Sequence, residues 1–406
     1  MQKSSSAPRA RLVFSAVTLI FFLAHAATAF VATYLKEMGL SASFVGTIMA
    51  LLNCVGIVSS PVLGNFADKI NSARCAFMID VVLAGAIMAC IPAFGAKTIF
   101  GIPVAAILLM VWAFFRIPAN SLLDSWTLRC AEETGAFSFG SIRLIGSVSG
   151  ATMCILYGQL AAKTGTNASI LYGYSVFAAL TLLFCIFTGR KYDDGVIAEK
   201  KEEKKEEKKE KNNRAGVRTA LSSKSFLLFL LCHAAMGIPI YCLTTFLPYK
   251  LSELGASSDM LGTLVALKSY TEVPMLLFGA ACLKKWDAKP VLTICFAAFF
   301  LEHLACALAG NVAIIAIALM AHGLFFGLYL AAMVHYVYRV APKDAVASAQ
   351  SLAGSAALLC AVLTNILGGV LVDRFGSVGF FTFGTAVFAA AFVLFILTAK
   401  KNTKNA

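Results

Sequence analysis

The chain has 406 residues, of which 59% are hydrophobic and only 14% charged, and its formal net charge is +13. Soluble globular proteins carry about 25% charged residues, so the composition excludes an ordinary set of soluble domains. The apolar runs are continuous and lack strand-like alternation, which excludes a transmembrane barrel.

Twelve apolar stretches are long enough to cross a bilayer as helices, at 12–34, 42–64, 74–94, 101–128, 139–161, 168–189, 225–248, 258–282, 289–309, 311–337, 345–371 and 377–399. Each such crossing needs roughly 20 residues. The first run follows Lys3, Arg9 and Arg11 and is too long for the core of a cleaved secretory signal. The apolar pattern is interrupted once at length, at 190–224. Lys200 to Lys211 there would place like charges four apart on a helix, as in Lys200 with Lys204 and Glu202 with Glu206, which disfavours a rod. A solvated flexible tether is expected instead. The predicted organisation is an all-α membrane protein of twelve transmembrane helices: a six-helix bundle over 1–189, a charged linker over 190–224, and a second six-helix bundle over 225–406. Two six-helix halves with binding near the midplane between them suit alternating access.

Loop cations set the orientation. With the N-terminus in the cytoplasm, fifteen Lys and Arg outside the linker fall inside and five fall outside (Lys36, Lys97, Lys163, Lys250 and Arg374), so both termini are expected to be cytoplasmic. The net charge follows from this topology and gives no reason to invoke nucleic acid. The twelve Cys form no C-x-x-C pair, and most sit in apolar runs as small hydrophobes.

Seven ionisable groups lie within the apolar runs: Asp80, Asp124, Glu272, Glu302, Arg116, Arg143 and Lys268. Each costs ~2.5–3.5 kcal/mol at membrane depth on insertion scales, so each should pair or line a water-filled path. Arg116, Asn120 and Asp124 are successively four apart and form a polar stripe, with Pro118 able to bend the helix within it. Asp124 and Arg143 lie at similar depths, either as a ligand-binding pair or as a structural pair between helices. Arg116 needs an anion: Asp124, another carboxylate, or an anionic substrate. Lys268 and Glu272 can neutralise each other along one helix, or Glu272 can titrate in a cavity. Glu302 beside His303 is the rival proton site. Asp80 reads as structural. His25 and His233 read as packing residues, and Gly146 with Gly150 as a small-residue face for close helix contact.

Several stretches carry a family resemblance. The loop holding Gly64, Asp68, Lys69 and Arg74 resembles the G-x-x-x-D-[RK]-x-G-[RK]-[RK] signature of the major facilitator superfamily, although its second Gly is absent. Gly64 is expected to permit a tight approach, and Asp68 to accept from a neighbouring helix end. The stretch from Ser121 through Asp124, and that from Phe139 through Arg143 and Gly146, resemble the P-L-L-D-S and Y-G-x-I-R-x-W-G-S patterns of the lactose-permease-like branch and its phenylpropionate-permease relatives. Glu272 with Pro274, the run from Ala321 through His322 and Gly323, and Gly369 through Asp373 to Gly376 are similar to further marks of that branch. The resemblance implies the major facilitator fold. It also implies that Asp124 and Arg143 bind substrate, that Glu272 is the essential eighth-helix carboxylate, and that His322 lines the cavity. Two positions depart from the pattern. Glu302 with His303 stands where the branch has an arginine, and Phe325 stands where it has the proton-carrying carboxylate, so the proton site is displaced.

The expected function is a secondary active transporter that imports a sugar, a nucleoside or an aromatic or organic acid by proton symport. Substrate contacts are assigned to Asp124, Arg143, Arg116, Asn120 and His322, coupling to Glu272, Glu302 and His303, and conformational control to the loop of Gly64, Asp68, Lys69 and Arg74. A proton-coupled efflux antiporter is a weaker alternative, because the stretch from Gly146 to Gly158 lacks the Pro usual in drug antiporters. A non-transporting receptor or scaffold is weaker still. No nucleotide-binding motif, metal-ligand spacing or nucleophile–base pair is evident, so neither an enzyme nor a cofactor is expected beyond the coupling proton. The expected partners are the lipid bilayer of a bacterial-type inner membrane and a small-molecule substrate, with the monomer as the working unit.

Overall fold

The computed structural model of the chain describes residues 7–187, 216–343 and 345–402. The charged core of the expected linker, Lys200 to Lys211, lies outside the described residues. Helix dominates, because a helix satisfies its own backbone polar groups where no water is available. The first segment is α1 (Ala7–His25), a 3₁₀ turn (Ala26–Phe30) and α2 (Val31–Glu37). Next come α3 (Ala42–Lys69) and α4 (Ala73–Phe94). A two-residue hairpin follows, β1 (Thr98–Ile99) with β2 (Ile102–Pro103), turned by Phe100 and Gly101 at positive φ. Then come α5 (Val104–Thr134), α6 (Phe139–Thr164), α7 (Ala168–Phe187), α8 (Gly216–Ser222) and α9 (Lys224–Glu253). The chain ends with α10 (Ser258–Lys285), α11 (Ala288–Leu308), α12 (Val312–Val340) and α13 (Val346–Asn402).

Side-chain caps mark several starts. Ser72 Oγ accepts from Cys75 N at 3.0 Å, Ser138 Oγ from Ser141 N at 3.3 Å, and Asn311 Oδ1 from Ile314 N at 3.1 Å. Gly135 and Gly165 stop α5 and α6 in the left-handed region, at φ 59° and 71°.

The twelve-span, six-plus-six expectation is corrected. Among the described residues, nine helices are long and apolar enough to cross a membrane, or ten if α8 and the first part of α9, bent by 92° at their junction, count as one. The physical reasons are local. The stretches 345–371 and 377–399 follow one another in α13 with no loop between them, as two helical segments that meet at a kink where Gly376 is non-helical, at φ 67°, ψ −174°. The stretch 258–282 lies within α10 and is helical throughout. The result is an all-α membrane protein of nine or ten long apolar helices.

The chain divides into two compact units, Met1–Leu40 with Leu51–Glu202, and Ser41–Ala50 with Glu203–Ala406. In the first, Trp126 is fully buried and edge-packed by Phe14 at 4.8 Å. A Cβ on Gly146 would lie 2.6 Å from the Phe22 ring, so α6 presses against α1 at that glycine. In the second, Phe296, Phe299, Tyr329 and Phe388 form the aromatic centre. The carboxylate of Asp373 receives the backbone N–H groups of Ala42 and Ser43, both at 2.8 Å, which ties the start of α3 to this unit. Glu253 accepts from Ser377 N at 2.7 Å just beyond the Gly376 break.

The tightest crossing is between α10 and α12. A Cβ on Gly323 would sit 2.0 Å from the Lys268 carbonyl oxygen and 2.2 Å from Thr271 Oγ1. Backbone cannot yield as a side-chain tip does, so Gly323→Ala should destabilise by about 1–3 kcal/mol. Gly354→Ala, where a Cβ meets nothing within 4 Å, should be neutral or better. Thermal unfolding of the two variants in detergent checks the contrast.

Asp287, the residue before α11, pairs with Arg339 at the end of α12. The hydrogen bond from Arg339 holds the Asp287 carboxyl below its ordinary range. A depressed carboxyl contributes stability that is complete above its ordinary pKa of ~3.9 and is lost as pH falls through the lowered value. Both side chains are about half-exposed or more, so the contribution is below ~1 kcal/mol. Arg339→Gln should therefore lower stability slightly at neutral pH, and the difference from the parent should vanish in unfolding experiments below pH ~3.

Candidate functional site

Each unit gathers one polar cluster on its apolar helices. In the first unit, α5 contributes Arg116, Asn120 and Asp124 on one face, as their four-residue spacing requires. Arg143 projects from the first turns of α6. Its Nε lies 3.8 Å from Asp124 Oδ1, and both side chains are a little over one third exposed. This is an ion-pair distance rather than a hydrogen bond. The Arg143 guanidinium also lies over the Phe22 ring at 4.6 Å, within cation–π range. Phe22 is held there by the close approach at Gly146.

Arg116 does not use Asp124. The two are eight residues apart, about 12 Å along the helix axis. Arg116 Nη2 instead meets His25 Nε2 at 2.7 Å and stacks near Trp112 at 5.6 Å. An arginine can only donate, so His25 must accept through Nε2 and is the neutral tautomer. Its ring sits between Phe21 and Phe22. Sequence pattern assigns His25 to packing and so misses this partner. The available signal is that His25 and Arg116 both lie well inside apolar runs. Asn120 Oδ1 is buried and makes no hydrogen bond among the described residues. The cluster thus presents two guanidinium groups, one carboxylate and an amide oxygen.

In the second unit, Glu302 of α11 and His322 of α12 meet at 2.7 Å, Nδ1 to Oε2, and both are essentially inaccessible. His303 Nδ1 is 3.8 Å from the same oxygen, too far for a hydrogen bond, and its ring packs edge-on against Phe388 at 4.7 Å. Glu302 Oε1 and His322 Nε2 have no hydrogen-bond partner among the described residues. His322 and Glu302, assigned separately from the sequence to substrate and to proton, are one group in space. Glu272 is half-buried on α10. Lys268 lies four residues before Glu272 on the same helix and 5.9 Å from the Phe326 ring. His233 is a satisfied packing residue: the Tyr329 hydroxyl donates to Nδ1, and Nε2 donates to the Ala353 carbonyl.

The conformational-loop residues stand apart from these clusters. Asp68 is 3.9 Å from Arg129 Nη2 at an exposed site. Lys69 is exposed, whereas Arg74 is buried and donates to the Cys185 carbonyl at 2.6 Å. Gly64 borders a cleft of about 160 Å³ with Asp68 and Arg129. No heavy atom lies within 4 Å of where its Cβ would be, so no tight approach depends on it.

The profile of the MFS_1 like family matches residues 13–383. The chain belongs to that family. It is therefore a multi-pass membrane transporter of the major facilitator superfamily, and not an enzyme. It is 24% identical over 318 residues to the uncharacterized transporter YwbF of Bacillus subtilis (strain 168), covering 78% of this chain and 74% of that one. Among solved structures, the nucleoside transporter NupG superposes with a TM-score of 0.78 at 15% identity, covering 96% of this chain and 98% of that one. A POT family transporter in complex with 5-aminolevulinic acid gives 0.70 at 12% identity, covering 98% and 96%. These structural likenesses carry the fold.

In this transporter the two charged pairs differ in burial, and that difference is measurable. Replacing His322 by Phe leaves the Glu302 carboxylate buried without its donor and should cost about 3–5 kcal/mol. Asp124→Asn breaks a longer, half-exposed pair and should cost about 1 kcal/mol or less. Denaturation of the purified variants in detergent checks the order.

Proposed function

We propose that this transporter imports a small polar or amphipathic organic solute by proton symport, and that its substrate carries an anionic or acceptor-rich group. The observation that carries the reading is the charge balance of the first cluster. Arg116 and Arg143 face one carboxylate, and the hydrogen-bond partner of Arg116 is a neutral imidazole. Two guanidiniums with an uncompensated charge favour a carboxylate or a dense set of ring oxygens, since arginine binds planar oxyanions through paired N–H groups. Asp124 and the Asn120 oxygen can accept from substrate hydroxyl or amino groups. Phe22 and Trp112 supply apolar faces for a ring. Of the sugar, nucleoside and aromatic or organic acid classes, the acid fits this balance best, which agrees with a place in the phenylpropionate-permease-like part of the lactose-permease-like branch.

For coupling, the geometry supports Glu302 with His322 over Glu272. A carboxylate and an imidazole at 2.7 Å can share a proton without exposing charge to the hydrocarbon, and His303 stands beside them as a second acceptor. Glu272, half-buried and next to Lys268, is the rival.

The experiment is uptake into proteoliposomes with an acidic exterior, using a panel of aromatic acids, sugars and nucleosides. An aromatic acid should accumulate against its gradient and stop doing so when the pH gradient is collapsed. Arg116→Gln should lower kcat/KM by at least about tenfold, the loss of one charge-assisted hydrogen bond. Glu302→Gln should abolish uphill accumulation while sparing exchange. Intact uphill transport in that variant, with loss in Glu272→Gln, moves coupling to Glu272. Accumulation of none of the panel overturns the symport reading.

A further inference from the structure

Several helices of the second unit end together. Ser223 Oγ, at the start of α9, donates to the Val340 carbonyl at the end of α12 at 3.0 Å. Arg339 of α12 pairs with Asp287 in the turn between α10 and α11. A Cβ on Gly216 of α8 would lie 2.4 Å from Ser348 Oγ in the first turn of α13. The junction of α8 with α9 is bent by 92°, so α8 runs across this end of the unit rather than along α9. In the sequence the three segments that meet here, 216–224, 284–289 and 339–344, hold seven Lys or Arg against two Asp. Arg218, Lys224, Lys285 and Lys343 are exposed and form no ion pair among the described residues.

Two exposed aromatic side chains share this end. Trp286, between Lys285 and Asp287, is 59% exposed, and Tyr338, beside Arg339, is 71% exposed. The other two Trp of the chain, Trp112 and Trp126, are buried at 3% and 0%. Trp and Tyr at the ends of membrane helices lie at headgroup level, where ring and polar tip are both satisfied. The cations beside them are then at the level of lipid phosphates. Water alone would hydrate the cations and leave the indole face bare. A zwitterionic headgroup brings a cation of its own, which the surplus of positive charge repels. A phospholipid with a net negative headgroup meets both features: its phosphate accepts from the cations, and its glycerol-ester region covers the ring. We infer that this end of the second unit is a binding surface for the headgroup of an anionic phospholipid, with Lys224, Lys285 and Lys343 as donors to phosphate and Trp286 as the interfacial anchor. The surface is separate from both polar clusters described above, and its occupancy can be read without transport.

The test titrates the full chain in detergent with phosphatidylglycerol, or with phosphatidylcholine of the same acyl chains, and counts retained lipids by native mass spectrometry. Phosphatidylglycerol should bind more tightly. Each Lys near an anionic surface contributes about fivefold, so Lys224→Gln, Lys285→Gln and Lys343→Gln together should weaken its binding by at least about tenfold. The charge-matched set Arg9→Gln, Lys97→Gln and Lys163→Gln, exposed residues of the first unit, should leave it unchanged. Position is read in nanodiscs of phosphatidylcholine containing phosphatidylglycerol brominated near the glycerol end of its acyl chains. Trp286 fluorescence should be quenched, more than by the same bromines on phosphatidylcholine at equal mole fraction, and the difference should vanish in Trp286→Phe. Equal retention of the two lipids, equal weakening by both sets of substitutions, or equal quenching by the two brominated lipids overturns the site and leaves a set of hydrated surface cations.

Discussion

The hydrocarbon core of a bilayer offers no water to a polar group, and the arrangement of this chain follows from that constraint. Backbone groups meet it by forming helices. Several charged side chains meet it by arriving in company: Arg116 with His25, Arg143 with Asp124 and Phe22, Glu302 with His322. The partners come from different helices in each case, so the polar contacts also fix which helix faces meet. Where two helices must come closer than side chains allow, glycine stands at the crossing, as Gly146 does against Phe22 and Gly323 against Lys268.

The two clusters meet the constraint differently. The pair on α5 and α6 keeps more than one third of each side chain accessible, so its charges are shared with whatever fills the space beside them. The pair on α11 and α12 is sealed. An accessible pair can exchange its partner for a solute at little cost, whereas a sealed pair changes state most readily by moving a proton. The division of labour between solute contact and proton handling proposed for this transporter rests on that contrast in burial.

Much of the first cluster could be read from the chain alone. Counting residues from the ends of the apolar runs puts Asp124 and Arg143 at one depth, and they do meet. Contacts that depend on helix rotation could not be read in this way. His25 and Arg116 sit on helices whose mutual facing no spacing rule gives, and the same holds for Glu302 and His322. Residue type misled once at Gly64, where the side chain that glycine lacks would have met open space. The count of spans failed for a different reason. The sequence separates two stretches around Asp373 and Arg374, where a loop is expected, but helix continues through both residues and breaks only in backbone geometry at Gly376.

The crossing at Gly323 has a mechanical consequence. Its missing side chain admits the Lys268 carbonyl, and its immediate neighbour along α12 is His322. Because the backbone of one helix is seated in a notch of the other, α10 and α12 cannot turn about their own axes independently. A torsional change that began at the imidazole would carry both helices as one keyed shaft, and Lys268 and Glu272 would swing with it.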